Sequence, residues 1–144
     1  MNEISRKAAN QPVRSMGRRI LVVEDNDDVA QSLRLILTRD GHIVSIAQDG
    51  PVALGSLRTF EPDIVLLDIG LPGMDGFELA RRIRKEGLRP DLIIVALSGY
   101  GEEEHRRLSQ EAGCDEYLVK PTHPDVLRNV LGRISHSVKR YAQS

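Results

Sequence analysis

The chain has 144 residues, of which 40% are hydrophobic and 28% charged, and its formal net charge is −1. This balance is that of a globular rather than a disordered protein, and near-neutral composition gives no reason to expect a nucleic-acid-binding surface. A single cysteine, Cys114, excludes an intrachain disulfide, and the longest strictly apolar run, Leu92 to Leu97, is far shorter than the ~20 residues that cross a bilayer.

Residues 1–17 are predicted to form a flexible basic tail. They lack periodic apolar positions, and residues 1–19 carry a net charge of +4 from one acid, Glu3, and five bases: Arg6, Lys7, Arg14, Arg18 and Arg19. Such a tail is more often simply solvated than a nucleic-acid or membrane arm. Met16 lies just before the first predicted strand, which makes it an alternative start. No apolar signal-peptide core follows the amino terminus, so we expect a cytoplasmic protein.

From Arg18 onward, five apolar runs alternate with segments of helical periodicity. Most of the runs are continuously apolar and rich in Val and Ile, which is typical of strands covered on both faces in a parallel sheet. The predicted strands are Ile20–Val23, Ile43–Ile46, Ile64–Leu67, Leu92–Leu97 and Tyr117–Val119.

The first predicted helix begins near Asn26, a good N-cap residue, and ends before Gly41. Its apolar residues recur at helical spacing and predict one buried stripe. The members of this stripe are Val29, Leu33, Ile36 and Leu37.

Four further helices are predicted. The second begins near Asp49, and the third opens with Asp75 and Glu78 at the spacing of a capping box. The fourth covers roughly residues 101–112, with Leu108 as its clearest apolar position, and the fifth follows Pro124. Five strand–helix units predict a doubly wound α/β fold, because each parallel crossover needs a helix and prefers the right hand.

Polar residues stand at the ends of four predicted strands. Glu24 and Asp25 follow the first strand, Asp68 the third, Ser98 the fourth and Lys120 the fifth. Ligands of open α/β sheets bind outside the carboxyl ends of the strands, so we expect these groups to meet at one rim. Each residue alone has an ordinary structural explanation as a turn former, N-cap or solvated charge. Their joint placement is what points to a site.

A rim with three carboxylates requires a counter-charge. Two carboxylates ~4 Å apart repel by about 4 kcal/mol at an effective dielectric constant of 20. Mg²⁺ fits, because it is commonly held by one or two carboxylates, water and a substrate phosphate. Lys120 would add a positive point charge directed at phosphoryl oxygens. A carboxylate in this setting can act as a nucleophile and form an aspartyl phosphate.

Four segments of the chain resemble the receiver domains of response regulators in bacterial two-component signalling. They are Leu-Val-Val-Glu-Asp-Asn (21–26), Asp-Ile-Gly-Leu-Pro-Gly-Met-Asp-Gly (68–76), Ala-Leu-Ser-Gly (96–99) and Tyr-Leu-Val-Lys-Pro (117–121). Each segment alone is a weak indication, but four in register over residues 18–138 are highly specific. The resemblance implies a receiver domain over residues 18–140. Its implied fold is a flavodoxin-like three-layer α/β/α arrangement, with five helices and a parallel five-stranded sheet in the order 2-1-3-4-5.

The same resemblance implies the roles of the site residues. Asp68 resembles the phosphoacceptor, assisted in catalysis by Lys120 and Ser98. Asp25 is implied as a direct ligand of Mg²⁺, with Glu24 acting partly through water. The complete implied set of metal ligands is Glu24, Asp25, Asp68 and the carbonyl group of Gly70.

Receiver domains also imply a conformational switch. Ser98 resembles the switch hydroxyl and Tyr117 the aromatic residue that turns inward, although a plain core tyrosine is the alternative for Tyr117. The peptide bond between Lys120 and Pro121 is expected to be cis. Tyr100, two residues after Ser98, stands where the family varies widely and could cover the site.

The implied protein is a signalling module, not an enzyme acting on other substrates. It catalyses only its own phosphorylation and dephosphorylation. Its implied partners are a sensor histidine kinase or a histidine phosphotransfer protein, and a downstream protein that binds the face of helix four, strand five and helix five. That face is also a candidate homodimer interface. The chain ends near the end of helix five, so we expect no output domain and no direct contact with nucleic acid or membrane.

Three other functions are less consistent with the residues. A Mg²⁺-dependent phosphatase would need an acid two residues after its nucleophile, where this chain has Gly70. A dinucleotide-binding loop would need G-x-G-x-x-G after the first strand, whereas Gly70, Gly73 and Gly76 follow the third at a different spacing.

A zinc or metal-thiolate site is also not predicted. Cys114 and the four histidines lack ligand spacing. We expect His42 and His136 at the surface, and His105 and His123 near the rim without a required role.

Overall fold

The computed structural model describes residues 17–71, 73–99, 101 and 103–143, with side chains up to residue 134 in the last helix. Strand and helix alternate five times. The strands are β1 Arg19–Val23, β2 Ile43–Ala47, β3 Ile64–Asp68, β4 Ile93–Ser98 and β5 Glu116–Val119. The helices are α1 Asp27–Arg39, α2 Gly50–Thr59, α3 Gly76–Glu86, α4 Glu103–Glu111 and α5 Pro124–Gln143. The predicted tail up to Met16, Tyr100, and the side chain of His136 lie outside the described residues.

The five strands form one parallel sheet in the order β2-β1-β3-β4-β5. This is the predicted order. The chain steps outward from β1 to β2 and then returns across β1 to β3, so the direction of winding reverses between β1 and β3. The carboxyl ends of these two strands therefore flank the place where ligands of such sheets bind.

Successive residues of each central strand face opposite helix layers. In β1, Ile20 and Val22 pack in one apolar cluster with α1 and α5, whereas Leu21 and Val23 pack in the other with α2 and α3. The same alternation holds in β3 and β4. Because side chains alternate across a strand, a strand covered on both faces must be apolar throughout. The predicted three-layer α/β/α architecture is confirmed.

The buried face of α1 differs from the predicted stripe. Val29 is 38% exposed, while Ala30, Leu33 and Leu37 are buried. On a helical wheel of 100° per residue these three lie within one narrow arc, and Val29 falls beyond its edge. Ile36 lies on the same flank and is half-buried.

The N-cap residues of α1, α2 and α3 are those predicted. The capping box predicted for α3 is formed only in part. The side chains of Asn26 and Asp49 accept backbone N–H groups in the first turns of α1 and α2. Asp75 Oδ1 accepts the N–H of Phe77 at 3.1 Å. Glu78 was predicted to complete a capping box, and instead it forms ion pairs with two arginines of the next turn.

β2 is less covered than the central strands, and the prediction for His42 is corrected. β2 is an edge strand with one neighbour, so its residues are only partly covered and Ile43 is exposed. His42 is half-buried rather than at the surface, and its Nδ1 accepts the N–H of Arg18 at 3.0 Å. In α4, Leu108 packs at the margin of the core, whereas Ser109 is fully buried.

Candidate functional site

The polar residues predicted to share a rim do so. β3 ends with Asp68 and β4 with Ser98, while Glu24 and Lys120 directly follow β1 and β5. Backbone bonds continue the sheet to this rim, from the Glu24 N–H to the Ala47 carbonyl (3.0 Å) and from the Lys120 N–H to the Ser98 carbonyl (2.7 Å). The sheet therefore holds these groups on rigid strand ends.

Three carboxylates form a cluster at the rim. Each of Glu24, Asp25 and Asp68 offers an oxygen within 4.8 Å of the other two. Glu24 is 2% exposed and Asp68 5%, whereas Asp25 faces solvent. Hard carboxylate oxygens, one of them open to water, suit Mg²⁺, which keeps several water ligands when bound to protein. The residues present therefore fit a magnesium ion.

Lys120, which follows the edge strand β5, forms ion pairs with two of the three carboxylates. Its Nζ lies 3.0 Å from Asp68 Oδ1 and 3.3 Å from Glu24 Oε1. Asp68 Oδ1 also accepts the N–H of Gly70 at 2.9 Å, and Glu24 Oε2 accepts the N–H of Asn26 at 3.1 Å. The peptide bond that follows Lys120 is cis, as predicted.

The cluster shifts the titration of two of its members. Burial, together with the negative charge of Asp68, raises the pKa of Glu24 above its ordinary value, against the opposing effect of the Asn26 N–H and Lys120. Burial opposes the charge of Lys120, but the hydrogen bond and charge of Asp68, with the charge of Glu24, outweigh it and raise the pKa of Lys120. Lys120 is therefore held as a cation beside Asp68.

The two predicted switch residues are both buried, one at the rim and one within β5. Ser98 is fully buried at the end of β4. Tyr117, in β5, is 8% exposed and belongs to the core cluster beneath α2 and α3. The guanidinium of Arg106, from α4, lies 4.9 Å from the centre of the Tyr117 ring. One face of this tyrosine is thus covered by a charged group of the neighbouring helix.

A glycine brings the first turn of α3 against the loop after Asp68. A Cβ atom at Gly76 would lie 2.5 Å from the Cα of Ile69, so a larger residue would force the two segments apart. The N–H of Gly76 donates to the Ile69 carbonyl at 3.2 Å. This close approach places Asp75 and Phe77 at the edge of the site.

The rim opens into a pocket of about 340 Å³. Its lining includes Asp68, Gly70, Ser98 and Lys120, and also His105 from α4. His105 was predicted to lie near the rim without a required role. Its position near the start of α4 was the available indication, because side chains of a helix lean toward its amino end. His123 is exposed, and its Nδ1 accepts the N–H of Asp125 instead.

A larger groove, of about 1310 Å³, lies at the opposite, amino-terminal edge of β4 and β5. Its charges are already paired. Arg84 binds Asp115 at 2.6 Å and also two backbone carbonyls, and Arg133 lies 3.4 Å from Glu116. The acidic cluster and Lys120 are absent from its described lining, so the smaller pocket is the candidate site.

These features define a doubly wound α/β domain with an acidic, lysine-bridged pocket at its switch point. The chain belongs to the family of response regulator receiver domains, whose sequence profile matches residues 20–132. The family resemblance seen in the four motifs is therefore confirmed.

Two curated relatives come from Streptomyces coelicolor. The chain is 41% identical to the transcriptional regulatory protein AfsQ1 over 108 residues, and 42% identical to the transcriptional regulatory protein CseB over 122 residues. These matches cover 75% and 82% of this chain but 47% and 51% of the relatives. The chain thus spans about half their length. Because both are named as transcriptional regulators, the expectation of no direct contact with nucleic acid is unsupported.

A solved structure shares the fold. The chemotaxis protein CheY4 of Vibrio cholerae superposes with a TM-score of 0.78 at 27% sequence identity, over 82% of this chain and 98% of that one. Within the described part of the chain, no helix is long and apolar enough to span a membrane.

Proposed function

We propose that this receiver domain accepts one phosphoryl group on Asp68, with Mg²⁺ bound by the neighbouring acids. The proposed donor is the phosphohistidine of a sensor kinase or of a histidine phosphotransfer protein. The observation that carries the proposal is the position of Lys120 Nζ, 3.0 Å from Asp68 Oδ1 within the carboxylate cluster. A lysine held this way neutralises the nucleophile's surroundings and can then bind phosphoryl oxygens.

The reaction follows from this arrangement. A carboxylate oxygen of Asp68 attacks the phosphorus atom, the P–N bond to the donor imidazole breaks, and the imidazole leaves with the bonding electrons and gains a proton. Lys120 and the Ser98 hydroxyl interact with the transferred oxygens, whose charge must be neutralised in such a transfer. Asp25, Glu24, Asp68 and the Gly70 carbonyl would hold Mg²⁺, which would add its positive charge to that of Lys120.

We further propose that the domain is not a phosphatase acting on other molecules. Gly70, two residues after the nucleophile, has no side chain to protonate a leaving group. Uptake should therefore stop at one phosphoryl group per chain, with turnover limited to hydrolysis of the domain's own acyl phosphate.

The proposed output is a change in the face formed by α4, β5 and α5. Phosphorylation would draw the Ser98 hydroxyl toward the phosphate and favour the inward position of Tyr117 that the core already accommodates. This is a two-state element biased by a local charge. The partner on that face, another protein or a second copy of this chain, would respond to the state of the helix–strand surface.

The phosphorylation site is tested by mass spectrometry after incubation with Mg²⁺ and a small phosphodonor. We expect one acid-stable, base-labile phosphoryl group on the wild-type chain and none on Asp68→Asn. Asp75→Asn is the matched control, because Asp75 lines the same pocket and asparagine preserves its helix cap. Undiminished labelling of Asp68→Asn would refute the proposal, as would equal loss of label in Asp75→Asn.

A further inference from the structure

His105, a residue of α4, lines the pocket that contains Asp68. Among the described residues that line this pocket, the others belong to the ends of β3 and β4, the first turn of α3, and Lys120. Among the described residues of α4, the helix therefore contributes one side chain to the pocket, the imidazole of His105. The helix begins at Glu103, so His105 is in the first turn and its side chain leans back toward the carboxyl edge of the sheet.

The imidazole of His105 lies beside the aromatic ring of Phe77, which also lines the pocket. The ring centres of His105 and Phe77 are 6.3 Å apart, and the planes are inclined by 36°. Phe77 is buried and its backbone N–H is fixed by Asp75, so this ring is held in place. His105 is half-buried against it. Together the two rings form a wall that joins the first turns of α3 and α4 beside Asp68.

We propose that the wall of His105 and Phe77 limits the access of water to the acyl phosphate on Asp68 and so prolongs the phosphorylated state. This inference rests on the proposed function of Asp68. In hydrolysis, a water oxygen attacks phosphorus and the bond to the Asp68 oxygen breaks. The carboxylate is regenerated, one water proton stays on the released phosphate and the other passes to solvent. The attacking water must approach in line with the breaking bond.

The packing of His105 favours exclusion of water over activation of water. One of its neighbours is the apolar Phe77 ring, with the ring centres 6.3 Å apart, which is within the range at which aromatic rings pack against each other. A base that activated water would act through a ring nitrogen, and its effect would be lost when those nitrogens are removed. Exclusion therefore predicts a lifetime near that of the wild type for phenylalanine and a shorter one for glutamine, whereas activation predicts a longer lifetime for both.

The experiment measures the lifetime of the acyl phosphate on the full chain after the phosphodonor is removed, at fixed pH and Mg²⁺ concentration. His105→Ala and His105→Gln should each shorten the lifetime by about tenfold, because they open the wall. His105→Phe restores a ring without nitrogens and should stay within about twofold of the wild type. His123→Ala is the matched control, since His123 is exposed and absent from the described lining, and its lifetime should be unchanged.

The outcomes separate this inference from the function on which it rests. Labelling of the wild type that persists in Asp68→Asn, or no labelling at all, would overturn both. Labelling confined to Asp68, with an unchanged or longer lifetime in His105→Ala, would overturn the wall alone. A lifetime in His105→Phe as short as in His105→Ala would do the same and would assign the effect to the ring nitrogens. If His105→Ala does not fold, the comparison of phenylalanine with glutamine still decides between the roles.

Discussion

Glu24 and Asp25 are adjacent in the sequence but lie in different surroundings. Both oxygens of Glu24 are engaged, Oε1 by Lys120 at 3.3 Å and Oε2 by the N–H of Asn26 at 3.1 Å. Asp25 faces solvent and offers an oxygen to the cluster with Asp68. The side chain with an open oxygen is the better candidate for direct metal contact, because a bound ion keeps water on its remaining positions.

Asp25→Ala should therefore weaken Mg²⁺ binding by about tenfold or more, since it removes a charged ligand. Glu24→Gln should weaken it less, because glutamine can still accept the Asn26 N–H and the wild-type carboxylate would reach the ion through water. Isothermal titration calorimetry measures both. Asp28→Ala, an exposed acid in the first turn of α1, controls for general loss of negative charge. Equal affinity in the wild type and Asp25→Ala would contradict this assignment.

At the scale of elements, α4 is joined to β5 by an arginine on an aromatic ring. The Arg106 guanidinium lies 4.9 Å from the centre of the Tyr117 ring, and Tyr117 is otherwise part of the core. The adjacent Arg107 has different partners, since it pairs with Glu104 and Glu111 within α4. One arginine thus binds the helix to the sheet, while its neighbour stabilises only the helix.

Arg106→Ala should lower the free energy of unfolding by about 0.5–1 kcal/mol, the usual contribution of an exposed cation on an aromatic ring. It should also raise the amide exchange of β5, because the cover over Tyr117 is lost. Urea denaturation and hydrogen exchange measure these two effects. Arg107→Ala is the matched control and should leave the exchange of β5 unchanged. Similar exchange in the two variants would show that the contact with Tyr117 does not couple α4 to β5.

At the scale of the whole molecule, the residues before β1 and β2 are joined at the amino-terminal edge of the sheet by a hydrogen bond to the neutral imidazole of His42. The N–H of Arg18 donates to His42 Nδ1 at 3.0 Å, and the N–H of Ile43 donates to the Arg18 carbonyl at 2.9 Å. Burial lowers the pKa of His42, with Arg18 acting in the same direction and Asp40 against it. The folded protein therefore favours the unprotonated imidazole that can accept this hydrogen bond.

The sign of the pH dependence follows from this shift. The folded pKa of His42 lies below its unfolded value near 6.5, so its stabilising contribution is present above that pH and is lost as pH falls through the folded pKa. We expect the wild type to lose more stability than His42→Asn between neutral pH and pH ~5, because asparagine can accept the same N–H without titrating. Urea denaturation across this range measures the difference. His123→Asn should follow the wild type, and parallel curves for wild type and His42→Asn would refute the role of His42.

Much of the fold and site was predictable from the order of residues along the chain. Apolar runs such as Ile64–Leu67 occupy strands buried on both faces, and that burial requires apolar residues at every position. Parallel strands place their carboxyl ends at one edge, so Glu24, Asp68 and Lys120 were expected to share that edge once the strands were recognised. Asn26 and Asp49 cap helices through bonds to residues three positions later, which is a local property.

Only the tertiary structure determined which faces of these helices and strands are covered, and by which neighbouring elements. Helical periodicity does not say which neighbouring element covers an apolar stripe. Val29 was therefore predicted to be buried, whereas it lies at the exposed flank of the buried arc of α1. The apolar sequence of β2 did not show how far its residues would be exposed, although the implied strand order placed it at the edge of the sheet. His105 lines the pocket because α4 packs with its first turn beside α3, a contact between residues distant in sequence. Local patterns specify the strands, helices and caps, whereas burial and side-chain surroundings depend on the packing of elements far apart in the chain.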